Sequence, residues 1–148
     1  MNTMKKLLII LIAVLTFGCS QHVTLQPAPV DVGSGPLYEA NEVHREAQRY
    51  WRYREAVSEV EQEGKWLYGN CVAWTDYMQE QLDLSNAAPV LAKVQGQYHM
   101  VLGIWHEDGF FVSDVNHSGI VHINNASLGN DLAVWDGYEW VPAEVVVK

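Results

Sequence analysis

Residues 98–116 read YHMVLGIWHEDGFFVSDVN, and this stretch decides the fold class. Two runs rich in strand-forming residues lie on either side of the polar segment HEDG at positions 106–109. That arrangement is typical of two β-strands joined by a tight turn. We therefore predict an antiparallel hairpin from Tyr98–Trp105 and Phe110–Asn116.

The register of this hairpin places two titratable side chains near each other. If Trp105 lies opposite Phe110, then His99 and Asp114 become diagonal neighbours on the same face of the sheet. The backbones of such neighbours lie roughly 7–8 Å apart, a gap that an imidazole and a carboxylate can span. A slip of one residue would place the two side chains on opposite faces.

The sequence around the hairpin predicts an α+β fold. Upstream, apolar residues at helical spacing indicate an amphipathic helix from Leu37 to about Glu63, a short link, and a second helix from about Asn70 to Leu82. Other β-rich segments are Val90–Gln95, Ile120–Ile123 and a hairpin with a two-residue turn at Asp136-Gly137. Helices followed by antiparallel strands predict N-terminal helices packed on one side of an antiparallel sheet.

The N-terminus has the layout of an export signal. Lys5 and Lys6 precede the apolar run Leu7–Leu15, which is shorter than the roughly 20 residues needed to cross a membrane as a helix. The following Gly18-Cys19 resembles the lipobox of bacterial lipoproteins, and Ser20 after the cysteine is typical of transfer to the outer membrane. Cleavage and free secretion is the alternative.

These features predict three parts of the chain. Residues 1–18 are a signal peptide, residues 19–36 are a lipid-anchored flexible tether rich in Pro and Gly, and residues 37–148 are one domain. The 130 residues after the signal keep 7 of the 9 basic residues and all 18 acidic ones, a net charge of −11. Such a surface repels phosphate backbones, so we expect no nucleic-acid partner.

The cysteine count draws attention to one thiol. The chain has two cysteines, and if Cys19 carries lipid, Cys71 has no partner for an internal disulfide. A free cysteine in an exported protein is either reactive or a small buried apolar residue. Because Cys71 begins a predicted helix, the backbone N–H groups and the helix dipole favour its thiolate. With His99 as base and Asp114 to orient it, the sequence offers the parts of a Cys/His/Asp triad.

Three short motifs resemble a known family in their pattern and order. They are Gly69-Asn70-Cys71, His99-Met100-Val101-Leu102 and Val112-Ser113-Asp114. They are similar to the motifs of the bacterial transglutaminase-like cysteine proteinases, within the transglutaminase-like superfamily. The resemblance covers the chain from roughly Trp66 to Asn116.

This resemblance implies a papain/transglutaminase-like fold, with Cys71 as nucleophile, His99 as base and Asp114 as the group that orients the base. Asn70 and its neighbours stand where family members often have acidic residues tied to calcium. We therefore do not carry calcium binding over from the family, and the sequence predicts no cofactor. Trp66, Tyr68 and Asn116 are candidate substrate-cleft residues. The expected substrate is a protein or peptide in the envelope. We expect the lipid to anchor the protein to the outer membrane, on the side that faces the periplasm.

Several alternatives stay open from the sequence. The same residues fit hydrolysis or transfer to an amine, and an NlpC/P60-like peptidoglycan endopeptidase also starts a helix with its cysteine. The third hypothesis is a non-catalytic envelope lipoprotein that binds a protein or glycan partner. A metal site from Asp114, His117 and His122 has no recognised ligand motif, and His106 is expected to be an ordinary polar residue of the turn.

Overall fold

A computed structural model describes residues 23–25 and 35–145 of the chain. The predicted signal peptide and Cys19 lie outside these residues. In chain order the elements are β1 (Val23–Leu25), α1 (Gly35–Tyr50), β2 (Trp51–Tyr53), β3 (Glu61–Glu63), β4 (Trp66–Gly69), α2 (Cys71–Leu82), β5 (Ala87–Val94), β6 (Gln97–His106), β7 (Gly109–Ser113), β8 (Val121–His122), a 3-10 turn (Ile123–Asn125), β9 (Leu132–Trp135) and β10 (Trp140–Val145). The predicted α+β class is confirmed at this level.

The strands of the described residues form two sheets. The larger sheet has the order β1-β10-β9-β5-β6-β7-β8, and the smaller has the order β2-β4-β3. Neighbours in the larger sheet run antiparallel except β1 and β10, which are parallel. Neither of the two described helices is long and apolar enough to cross a membrane.

The larger sheet is covered on both faces, and the side chains of β6 show this by their alternation. Met100 and Leu102 point toward α2, where they pack with Trp74 and its neighbours. Val101 points to the opposite face and joins a second apolar cluster, which the segment from Ile123 to Leu128 covers. The central strand β5 is buried continuously from Pro89 to Ala92 because both of its faces are covered.

The structure corrects the predicted helix between residues 37 and 63. Helix α1 ends at Tyr50, and Trp51–Tyr53 instead forms a strand that pairs in parallel with Trp66–Gly69. The predicted link at 65–69 is therefore also wrong, because its last four residues are β4. Aromatic residues favour strands, and Trp51 gains a buried edge-to-face contact with Trp74 at 4.9 Å between ring centroids.

Smaller differences concern the tether and the strands near the C-terminus. Val23–Leu25, within the predicted tether, pairs with β10 as an edge strand. The segment 120–123 is a two-residue strand followed by the 3-10 turn. The hairpin at Asp136-Gly137 is present, but Trp135 pairs with Trp140, so its loop has four residues. The Asp136 carboxylate accepts hydrogen bonds from two backbone N–H groups of that loop, which stabilises the longer turn.

Candidate active site

Cys71 is the first residue of α2, at the point where β4 turns into the helix. Asn70 caps this helix, since its side-chain oxygen accepts hydrogen bonds from the N–H groups of Val72 and Ala73 at 3.0 and 3.2 Å. The Asn70 amide also donates to the carbonyl of Glu55 at 2.9 Å. The thiol is therefore fixed at the positive end of the helix, as the sequence predicted.

The predicted hairpin and its register are confirmed. Trp105 pairs with Phe110 and Leu102 with Ser113, and Asp114 follows directly on the end of β7. Nε2 of His99 lies 2.8 Å from Oδ1 of Asp114. Both side chains point to the face of the sheet opposite α2, and they meet as diagonal neighbours.

The Cys71 thiol approaches His99 and Asp114 along the part of β6 that has no pairing with β7. Strand β7 pairs with β6 only from Leu102 onward, which leaves the first half of β6 open on that side. Hydrogen bonding by the His99 side chain and by the backbone N–H of Met100 lowers the pKa of the Cys71 thiol. Because Nε2 of His99 faces Asp114, Nδ1 is the ring nitrogen left for the sulfur.

The Asp114 carboxylate is almost fully enclosed, with 3 % of its side chain exposed. The oxygen that faces His99 also accepts a hydrogen bond from the backbone N–H of Asn116 at 3.0 Å. The side-chain amide of Asn116 lies 3.4 Å from Nε2 of His99. These contacts fix the orientation of the Asp114 carboxylate relative to the His99 imidazole.

The electrostatics favour an ion pair between sulfur and imidazole. Burial by itself raises the pKa of the Cys71 thiol, but the hydrogen bonds and the charge of His99, together with the Met100 N–H, lower it below its ordinary value. Burial opposes the charged form of His99 as well. The Asp114 carboxylate and the Cys71 sulfur outweigh that effect and raise the pKa of His99 from 6.5 to about 10. Both shifts favour a thiolate beside an imidazolium over a neutral thiol beside a neutral imidazole.

The three groups open into a cleft of about 470 Å³. One wall comes from the β5–β6 turn, and the other comes from the segment after the 3-10 turn. Apart from the three groups themselves, the lining residues are Tyr53, Val94, Gln95, Gln97, Tyr98, Asn116, His117, Ala126, Ser127 and Leu128. Among the described residues, no lysine, arginine or glutamate lines this cleft, and Asp114 is the one carboxylate.

Of the three predicted cleft residues, one lines the cleft beside Cys71, His99 and Asp114. Asn116 lines the cleft, whereas Trp66 and Tyr68 do not. Alternation along β4 buries Leu67 and turns Trp66 and Tyr68 to the outer face of the smaller sheet. There the guanidinium groups of Arg52 and Arg54 stack on the two rings, at 4.0 and 3.6 Å from the ring centroids.

Sequence reasoning missed Tyr53, an aromatic residue that lines the cleft together with Cys71. Tyr53 lines the cleft although it lies in a segment predicted as helix, and 58 % of it is exposed. Burial and the nearby negative charge of Cys71 raise the pKa of its phenol. The parallel pairing of β2 with β4 places Tyr53 beside Gly69, two residues before the nucleophile. No local signal in the sequence predicts that pairing.

The histidines outside the pair do not form the metal site considered from the sequence. Among the described residues, one group of potential ligands lies within 4.8 Å, and it is His106, Glu107 and Asp108 of the β6–β7 turn. Asp114, His117 and His122 are not such a group. Nδ1 of His106 instead accepts a hydrogen bond from the backbone N–H of Asp108, which stabilises the turn. His106 is buried, and this hydrogen bond gives its Nδ1 a partner.

Comparison with protein-family models and with curated protein sequences finds no match to this chain. The resemblance of the three motifs to transglutaminase-like proteinases therefore stays a prediction.

Proposed function

We propose that this protein is a cysteine hydrolase or acyltransferase that acts on amide bonds through an acyl-enzyme. The observation that carries the proposal is the hydrogen-bonded series Cys71–His99–Asp114 at the start of a helix, opening into a cleft. A nucleophile, a base within hydrogen-bond reach and a third group that orients the base are the features that define this chemistry. A structural cysteine needs none of them.

In the proposed reaction the Cys71 thiolate attacks the amide carbonyl and forms a carbon–sulfur bond. The imidazolium of His99 gives its proton to the leaving amine as the carbon–nitrogen bond breaks. Water then attacks the thioester, His99 accepts a proton from that water, and the thiolate leaves as a carboxylic acid forms. If an amine replaces water, the same steps transfer the acyl group to the amine.

The negative charge on the carbonyl oxygen needs hydrogen-bond donors in both steps. The backbone N–H of Cys71 is one candidate, because the first N–H groups of a helix have no partner inside the helix. The phenol of Tyr53 is the second candidate, because it lines the cleft beside the sulfur. Apart from Cys71, His99 and Asp114, the described residues that line the cleft include no aspartate, glutamate, lysine or arginine, which suits a neutral peptide or carboxamide.

A papain/transglutaminase-like fold is part of the proposal. Two features support it: the nucleophile begins a helix packed against an antiparallel sheet, and the histidine and aspartate follow on consecutive strands. The order of the three groups along the chain agrees with the predicted resemblance.

The proposed location is the cell envelope, with a lipid on Cys19 that holds the protein to the outer membrane. The support is the sequence of the first 20 residues. We expect intact-mass analysis of the envelope protein to give a mature chain that begins at a diacylated Cys19, and Cys19→Ser to release it from membranes. A start at another residue, or an unmodified Cys19, would contradict this location.

The activity is tested with the full chain on three substrates: a mixture of peptides, the same mixture with a fluorescent primary amine, and purified peptidoglycan. Mass spectrometry identifies cleaved bonds, amine incorporation or released muropeptides. We expect products that disappear in Cys71→Ala and in His99→Ala. Products from peptidoglycan alone would place the activity with the NlpC/P60-like endopeptidases. An inert protein whose Cys71 also alkylates slowly would favour a binding function.

A further inference from the structure

A second histidine, which takes no part in the proposed reaction, lies completely buried behind the site. His44 is on α1, and its solvent exposure is 0 %. Its Nδ1 lies 2.8 Å from Oγ of Ser113, and its Nε2 lies 2.8 Å from the carbonyl oxygen of His117. The indole Nε1 of Trp74 reaches the same Ser113 hydroxyl at 3.3 Å.

The partners of His44 determine where its proton lies. A carbonyl oxygen only accepts, so Nε2 of His44 must carry the hydrogen that it donates to His117. An indole N–H only donates, so the Ser113 hydroxyl accepts from Trp74 and gives its own hydrogen to Nδ1 of His44. Every donor in this series has an acceptor when His44 is neutral. Burial lowers the pKa of His44, which agrees with a neutral ring.

These hydrogen bonds enclose Asp114 from both sides along the chain. Ser113 immediately precedes Asp114, and the His117 carbonyl belongs to the turn that immediately follows it. Gln48, one turn further along α1, donates to the carbonyls of both Val115 and His117. The backbone on each side of Asp114 is thus attached to α1, while the carboxylate points to the other face of the sheet and meets His99.

We propose that His44 is a positioning residue that holds the Asp114 carboxylate against His99 through its hydrogen bonds to Ser113 and His117. Helix α1 contributes no side chain to the cleft, so its effect on the reaction passes through this attachment. The inference rests on the proposed function, because it assigns His44 to the orientation of the proposed base.

The charged and titratable groups that act on His44 come from two elements. Asp114 and His117 act from the end of β7 and the turn after it, and Arg45 acts from α1 itself. Helix α2 presents Trp74, which is packed edge-to-face on the His44 ring at 4.9 Å between centroids and does not titrate. None of these groups replaces the two hydrogen bonds that His44 makes.

The test compares His44→Leu, which removes both hydrogen bonds, with His44→Gln, whose amide can still donate to the His117 carbonyl. The first readout is the ionisation of His99, followed by NMR of the imidazole in the full chain. In His44→Leu we expect the pKa of His99 to fall by at least about 1, because the contact with Asp114 loosens. His44→Gln should recover part of that loss. If His44→Leu does not fold, Ser113→Ala takes its place in the test because it is a smaller change. Ser113→Ala should also lower the pKa of His99.

Asn41→Ala is the matched control. Asn41 lies on the same face of α1 and accepts a hydrogen bond from the backbone N–H of Ile120, beyond the turn that holds Asp114. It should lower stability without moving the pKa of His99.

A second readout is the rate of product formation in a double-mutant cycle. His44→Leu should slow the reaction by about 10- to 100-fold, the usual result of a small misplacement of catalytic groups. It should add little in an Asp114→Asn background, where the carboxylate is already lost. Fully additive effects, or an unchanged pKa of His99 in folded His44→Leu and Ser113→Ala, would overturn the positioning role. If Cys71 alkylation does not depend on His99 at all, the proposed function itself has failed.

Discussion

Replacing His99 with Ala is expected to turn Cys71 from a thiolate that reacts near neutral pH into an ordinary buried thiol. In the intact protein, burial raises the pKa of Cys71, but the hydrogen bond and charge of His99, together with backbone N–H groups, overcome that effect. In His99→Ala the effect of burial remains and the largest opposing contribution is lost. The pKa of the thiol should then rise toward its ordinary value of 9.0.

The size of the change follows from the population of thiolate. At about pH 6, a thiol with a pKa of 9.0 is ionised in about one molecule in a thousand, and the lower pKa of Cys71 in the intact protein raises that fraction. A thiolate of higher pKa is intrinsically more nucleophilic, with a Brønsted coefficient of about 0.4–0.5, which offsets about threefold of each tenfold loss of thiolate. Alkylation of Cys71 at about pH 6 should therefore be about threefold slower in the variant for each tenfold loss of thiolate that its higher pKa causes.

The assay is iodoacetamide labelling of the full chain between about pH 5 and pH 10. Peptide mass spectrometry quantifies the fragment with Cys71 separately from any fragment with Cys19. His122→Ala is the matched control, since His122 lies outside the cleft, where its side chain accepts the Asn124 N–H and packs on the ring of Phe111. Equal rates in the wild-type protein and His99→Ala, with both rising only above about pH 8, would refute the ion pair.

Three further changes test the parts that hold the pair together. Asp114→Asn keeps the shape of the carboxylate but removes its charge, so NMR titration should show the pKa of His99 falling from about 10 toward 6.5. Asn70→Ala removes the helix cap and should lower the free energy of unfolding by about 1 kcal/mol in urea, while Asn70→Asp retains most of it. Gly69→Val should cost about 1–3 kcal/mol, since a Cβ there would lie 2.5 Å from Cβ of Ala73, and Cys71 should alkylate more slowly because the turn must shift. Unchanged urea midpoints in Asn70→Ala and Gly69→Val would contradict the capping and packing described at the turn between β4 and α2.

The parts of the site that depend on local patterns were predictable from the sequence. The two-residue turn between β6 and β7 sets the register, and the register brings His99 and Asp114 to one face. Asn70 just before an apolar helical pattern marks the start of α2 and so the position of Cys71. Both signals act over a few residues, where backbone geometry leaves few alternatives.

The parts that depend on pairing between distant segments were not predictable in this way. Trp51–Tyr53 has a sequence that continues a helical pattern, and only its pairing with β4 makes it a strand and brings Tyr53 to the cleft. His44 is one polar residue on a helix face, and its contacts with Ser113 and His117 lie 69 and 73 residues away in the chain. Tertiary contacts of this kind override local propensity, and a single sequence does not record them.

If Cys19 carries the proposed lipid, strand β1 limits the distance between the cleft and the membrane. With a lipid on Cys19, only residues 20–22 separate the anchor from Val23, and an extended chain of that length reaches at most about 14 Å. In the order β1-β10-β9-β5-β6, His99 lies four strand spacings from this edge, which is about 19 Å across the sheet. The thiol would therefore work within roughly 35 Å of the lipid surface. With so short a tether, the site would reach only substrates that lie close to the bilayer, whatever their chemistry.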